Sequence, residues 1–142
     1  MTAHDVTALL ERNEDEHIEF KKAESTFDFD KLVEYSIALA NERGGMIVLG
    51  VTDKKPRQIV GTSAYLDDLA KIKEHLIAQV RLRIDVEEIR CAEGRVLVFH
   101  IPSRPIGVAL AVRGAYLMRA GGALTAMTFD MLKRISEEAG PD

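Results

Sequence analysis

Two hydrophobic periods alternate along the chain, and the places where one gives way to the other mark out its elements. Between Asp28 and Asn41, Leu32, Tyr35, Ser36, Leu39 and Ala40 recur at helical spacing, with Val33 and Ile37 widening the stripe. A stripe of that width predicts an amphipathic helix with one face in the core. Asp28 or Asp30 supplies the N-terminal cap, and Gly44-Gly45 stops the helix, because the chain there must turn through positive φ. Met46 to Leu49 follows as an unbroken apolar run, the pattern of a strand buried on both faces. Gly50 and Asp53 come next, so Asn41 to Asp53 (NERGGMIVLGVTD) reads as helix end, glycine stop, central strand and an acidic group in the loop beyond. Open α/β sheets place their chemistry at that end of a strand.

Around this centre the pattern is simpler. Asp5 to Arg12 carries Val6, Leu9 and Leu10 at the spacing of a short helix that Asp5 would cap. After the acidic connector Glu14-Asp15-Glu16, His17 to Lys21 alternates: Ile18 and Phe20 point one way, His17, Glu19 and Lys21 the other. The ordinary expectation for such a polar row is a solvated face. Lys54-Lys55-Pro56-Arg57 makes a basic turn into a short strand at Gln58 to Val60, a hairpin with the central strand. Tyr65 to Leu82 is a second long helix, with Leu69, Ile72, Leu76 and Val80 on its buried face. Val86–Cys91 and Val96–Ile101 are strands joined at Glu93-Gly94; Gly107–Val112 and Ala115–Arg119 turn at Arg113-Gly114. Thr128 caps a closing helix over Met131–Glu138, with Met131, Leu132 and Ile135 facing inward. This order predicts a single α+β domain over residues 1–142: a mostly antiparallel mixed sheet flanked by about three helices.

Composition adds three constraints. With 46% apolar and 30% charged residues, the chain has both a core and a well-solvated surface. The lone Cys91 excludes an internal disulfide framework and fits a reducing compartment. The N-terminus is acidic without an apolar leader segment, and no apolar run approaches the ~18 residues of a membrane span, so the expectation is a cytoplasmic protein with no membrane partner. The net charge of −4 is unevenly spread. Residues 1–45 carry 11 acidic and 5 basic groups, whereas Gly94 to Met127 holds Arg95, Arg104, Arg113 and Arg119 and no acid. Such asymmetry hints at an anionic partner; the competing explanation is that arginines keep edge strands soluble.

No phosphate-binding loop, dinucleotide-binding glycine pattern, paired-cysteine zinc spacing or nucleophile elbow is present. The four histidines show no H-x-x-x-H arrangement, and Cys91 lies mid-strand, where a thiol is inert. What remains is acidic. If the first and central strands are neighbours, Glu14, Glu19 and Asp53 could converge near Lys21. Carboxylates suit Mg²⁺ or Mn²⁺, ions that activate water against a phosphodiester, and a lysine beside them would stabilise phosphate charge.

Glu14 to Lys21 (EDEHIEFK), the helix ending ALANERGG, the strand IVLGVTD and Gly61 together resemble the Schlafen AlbA-type domain family. VLVFHIPSRP, then YLMRAGG and a threonine, resemble the family's later strand, proline pair and Y-x-R-x-G segment, so the likeness runs from about Leu9 to Ile135. It implies a nucleic-acid-binding α/β domain. In animal Schlafen proteins the related region is a metal-dependent endoribonuclease acting on structured RNA such as transfer RNA. Its carboxylates correspond to Glu14, Glu19 and Asp53, all retained here. The animal nucleases join two such lobes, however, whereas this chain has one, and a homodimer would be needed to supply the second. Many bacterial relatives also continue into a C-terminal regulatory portion. R-A-G-G from Arg119 replaces the more usual R-x-G-S, which removes a hydroxyl.

Three functions follow from the sequence. The first is an RNA- or DNA-binding module whose phosphate contacts are Lys21, Lys54, Lys55, Arg57, Arg104, Arg113 and Arg119. The second is an Mg²⁺- or Mn²⁺-dependent endoribonuclease using Glu14, Glu19 and Asp53 with Lys21. The third is a non-catalytic dimeric interaction or regulatory domain.

Overall fold

Residues 1–138 are described by the computed structural model. Its centre is a four-stranded sheet in the order β1 (Ile18–Lys21), β2 (Gly45–Leu49), β4 (Gly94–Ile101), β3 (Asp85–Cys91). β1 runs parallel to β2 and the other pairings are antiparallel. β2 and β4 are apolar at nearly every position because both faces of the sheet are covered. On one face, Ile47, Leu49, Leu97 and Phe99 pack against α2 (Phe29–Asn41) and α3 (Leu69–Val80) through Leu32, Ile37, Leu39 and Leu76. On the other, Val48, Val96 and Val98, with Ile18 and Phe20, pack against Val6 and Leu9 of α1 (Ala3–Leu9). Each such fully buried aliphatic or aromatic side chain contributes about 1.5–3 kcal/mol.

A second, antiparallel sheet follows: β5 (Ala111–Val112), β6 (Ala115–Ala120) and β7 (Ala123–Ala126). It lies against α2, and the chain ends in α4 (Phe129–Glu137), of which Ile135 is buried. The α+β class and the mostly antiparallel pairing agree with the sequence reading. The strands after β4 form a sheet of their own, and the helices number four among the described residues.

Element ends shift where local capping competes with periodicity. α1 starts earlier than expected: Thr2 is the cap and Asp5 its reciprocal partner, completing a capping box. α3 begins at Leu69 rather than Tyr65, because Tyr65 sits at φ +56 and its hydroxyl donates to the Phe27 carbonyl. β7 has no counterpart in the sequence reading; ALTA is too short and too small to show a period. The glycine stop is as expected. Gly44 has φ +96, and a Cβ there would lie 2.7 Å from the Ile101 carbonyl oxygen.

The motif asparagine before that stop has a definite task. Asn41 is fully buried; its Nδ2 donates to the Leu110 and Leu117 carbonyls at 3.0 and 2.8 Å, and its Oδ1 accepts from the Leu110 N–H at 2.9 Å. These bonds tie the end of α2 to the small sheet and so set where β6 lies relative to β1.

Candidate carboxylate site and basic surface

β1 is an edge strand, and its polar row is where the small sheet lands. Glu19 is only 3% exposed and Arg119, from β6, only 1%. Arg119 Nη1 donates to Glu19 Oε2, and Nη2 donates to the Asp15 and Ile18 carbonyls at 2.9 Å each. One guanidinium therefore neutralises the buried carboxylate and satisfies carbonyls along the strand edge. Its Nε is buried without a partner among the described residues. On the other Glu19 oxygen, Lys21 Nζ stands at 3.3 Å, and it also lies over the Tyr35 ring, 5.1 Å from the centroid. Burial lowers the Lys21 ammonium, but its interactions with Tyr35 and Glu19 prevail and leave its pKa raised. The solvated face expected for His17, Glu19 and Lys21 is thus covered at Glu19, while His17 stays exposed with Nδ1 3.0 Å from the Gly44 carbonyl.

Glu14 joins this cluster. Its Oε2 accepts from the Phe20 N–H at 3.4 Å. Burial, and after it the neighbouring Glu19 charge, raise its pKa against the opposing pull of that hydrogen bond, Arg119 and Lys21. Gly122, the glycine that replaces the usual serine, packs on the same carboxylate: a Cβ there would lie 2.5 Å from Glu14 Oε1. Position 122 therefore faces Glu14.

Asp53 makes no side-chain hydrogen bond or ion pair with Glu14 or Glu19 among the described residues. It lies exposed in the loop after Val51, which returns to pair with Ile59. That loop is tied down on the Phe20 side of the sheet. Arg57 sits 4.1 Å from the Phe20 ring centroid and donates to the Leu10 and Arg12 carbonyls; Lys55 donates to the Glu11 carbonyl and Asn13 Oδ1 at 2.6 and 3.0 Å. Phe20 and Glu19 are successive residues of one strand and point to opposite faces. Among the described residues, no group of three or more His, Cys, Asp or Glu side chains is placed to hold a metal ion. Both Glu19 oxygens already meet cations of the chain itself. The donor set does not fit Mg²⁺ or Mn²⁺, which need several free oxygen ligands.

The expected phosphate contacts divide sharply. Arg57, Arg104 and Arg119 are turned inward, each less than a tenth exposed. Arg104 forms a two-point contact with Glu138, at 2.7 and 2.6 Å, and donates to the Asn41 carbonyl. With the Gly107 N–H, that contact holds the Glu138 carboxyl down at about 2. Arg113 pairs with Glu34 at 2.5 Å, and Lys21 with Glu19. Arg57, Arg104 and Arg119 serve the fold because each lies beside carbonyls or a carboxylate that would otherwise be unpaired, whereas Arg113 is exposed and shares Glu34 with Lys31. Lys54 and Lys55 are exposed, and Lys54 has no side-chain partner among the described residues. Outside the expected set, Arg81 and Arg83 are exposed and make no side-chain hydrogen bond or ion pair among the described residues. Their signal in the sequence is weak: two arginines flanking Leu82, just past an amphipathic helix.

Comparison with known proteins gives a family and a fold. The family profile described as Schlafen, AlbA_2 matches residues 14–128. No curated protein matches the chain. Among solved structures, the DIP2311 protein from Corynebacterium diphtheriae superposes with a TM-score of 0.68 at 17% identity. That match covers 94% of this chain but 32% of the other, so the chain spans about a third of that protein's length. The N-terminal domain of a protein from Nitrosomonas europaea related to the ATP-dependent DNA helicase RecG superposes with a TM-score of 0.54 at 24% identity, over 87% of this chain and 91% of that domain. At these identities the likeness establishes the shared fold. Among the described residues no helix is long and apolar enough to cross a membrane.

Proposed function

The chain belongs to the Schlafen AlbA_2 family, and from that premise we propose that it is a nucleic-acid-binding domain that holds RNA or DNA by its phosphates. A structural neighbour from a DNA-helicase-related protein is consistent with this reading. The observation that carries it is the loop from Asp53 to Arg57. Arg57 and Lys55 bind backbone carbonyls at the end of α1, which fixes the loop, while Lys54 is left exposed without a side-chain partner among the described residues. A cation on a fixed loop meets a phosphate with less ordering cost than one on a free chain. Such contacts position a duplex or strand without reading its sequence. The carboxylates take no part: Glu19 serves to hold Arg119, and Glu14 packs beside it.

The test is a salt titration of binding to labelled RNA and DNA by fluorescence anisotropy, from about 50 to about 200 mM salt. The logarithm of affinity should fall linearly with the logarithm of salt, and Lys54→Gln should flatten the slope by about 0.7–0.9 if it meets one phosphate. Affinity independent of salt would remove the phosphate-contact reading. A transfer-RNA cleavage assay with Mn²⁺ is the companion measurement: cutting that disappears in Glu19→Ala would replace the binding reading with a ribonuclease.

A further inference from the structure

We infer that the groove at the C-terminal end of α3 is a second binding site for a nucleic-acid phosphodiester backbone, with Arg81 and Arg83 as its contacts; this rests on the nucleic-acid reading above. Lys73, Ile77 and Arg81 stand four residues apart and share one face of the helix. Arg81 then takes the left-handed conformation, φ +65, which ends the helix and turns the chain so that Arg83 lines the same groove. The groove has a volume of about 690 Å³, and its lining contains three cations and one carboxylate, Asp85. Lys73 and Asp85 neutralise one another at 3.2 Å. Arg81 and Arg83 remain, a local charge of +2 on a chain of net charge −4.

A purely structural role would leave a mark. Arginines near a helix C-terminus can donate to its last free carbonyls. Neither side chain does so; the α3 terminus is closed instead by the Arg81 backbone N–H on the Ile77 carbonyl at 2.7 Å. By contrast, Arg57, Arg95, Arg104 and Arg119 each bind backbone carbonyls. Two planar guanidinium forks that line one groove, without side-chain partners among the described residues, match the paired oxygens of phosphates. Ile77 and Leu82, half-buried in the groove, offer an apolar surface for a sugar or base between the charges.

The experiment compares the full chain with Arg81→Gln/Arg83→Gln and with a control, Lys133→Gln/Arg134→Gln, that removes two exposed charges from α4. Binding to labelled single-stranded RNA, single-stranded DNA and duplex DNA is measured across salt. Losing two phosphate contacts should flatten the salt slope by about 1.4 on single strands or about 1.8 on duplex. That corresponds to roughly 25-fold or roughly 60-fold weaker binding near 0.1 M salt, while the control changes little. Arg81→Lys/Arg83→Lys keeps the charge and should restore the slope, which separates contact from any loss of folding. Wild-type binding that the double glutamine variant leaves intact, or that the control weakens equally, overturns this site while the nucleic-acid reading stands. A wild-type chain that binds none of the three nucleic acids overturns both.

Discussion

Arg119 and Arg81 occupy opposite situations in one small domain. Arg119 lies 1% exposed under the small sheet, its guanidinium shared between Glu19 and two carbonyls of the β1 edge. Arg81 stands in water at the end of α3 with its side chain bound to nothing among the described residues. One cation holds two sheets together and the other is exposed to solvent. Charge in a sequence therefore does not say which service a cation performs; the presence of unpaired carbonyls within reach does. The cluster around Glu19 also shows why a retained carboxylate pattern need not be a metal site. A guanidinium already supplies the positive charge that Glu19 would otherwise seek.

The contrast can be broken most forcefully at its buried end. Arg119→Met leaves the buried Glu19 with Lys21 as its one cation among the described residues and unpairs the Asp15 and Ile18 carbonyls, and should cost up to about 3–5 kcal/mol in urea unfolding. The double change Glu19→Leu/Arg119→Met should recover most of that, since neither charge is then left alone. Next in size, Asn41→Ala unpairs the Leu110 and Leu117 groups that register the small sheet, at about 1–3 kcal/mol for each group left buried and unsatisfied.

Titration separates two carboxyls of opposite behaviour. Glu138 is held at about 2 against an ordinary 4.5, so the stabilisation it lends α4 is complete above 4.5 and is lost as pH falls toward 2. The Gly107 amide, which donates to Glu138, should follow that loss, and Glu138→Gln should remove its dependence on pH in that range. Glu14 is raised, so its proton favours the folded state and the benefit fades as pH rises through its folded value. Glu14→Gln should therefore raise the urea midpoint at neutral pH and leave it unchanged well below 4.5. The smallest effect belongs to the exposed end: Arg81→Gln/Arg83→Gln should alter stability by no more than about 0.5 kcal/mol. A larger loss there would mean that these arginines, too, serve the fold.

Much of the architecture was legible because it is periodic. The stripe from Leu32 to Ala40 and the run from Met46 to Leu49 record burial that neighbouring residues share, and α2 and β2 lie where those patterns put them. The Thr128 cap of α4 was likewise written locally, since its hydroxyl accepts from the Met131 N–H three residues on. β7 and the start of α3 were not, because four small residues carry no period and a single left-handed tyrosine interrupts one. The carboxylates divided in the same way. Their presence and order were plain, but Glu19 meets Arg119 across 100 positions of sequence, and no local pattern contains that distance.

By itself the sequence determined the class of the fold, the central helix and strand, the glycine stop between them and the family signature. Tertiary structure alone decided that Glu19 faces an arginine, that Arg57 lies over Phe20, and that Arg81 and Arg83 have no side-chain partner among the described residues. The physical reason is reach. Helix and strand propensities act over a few residues and repeat, whereas the partner of a charge is whatever the folded chain carries into contact with it.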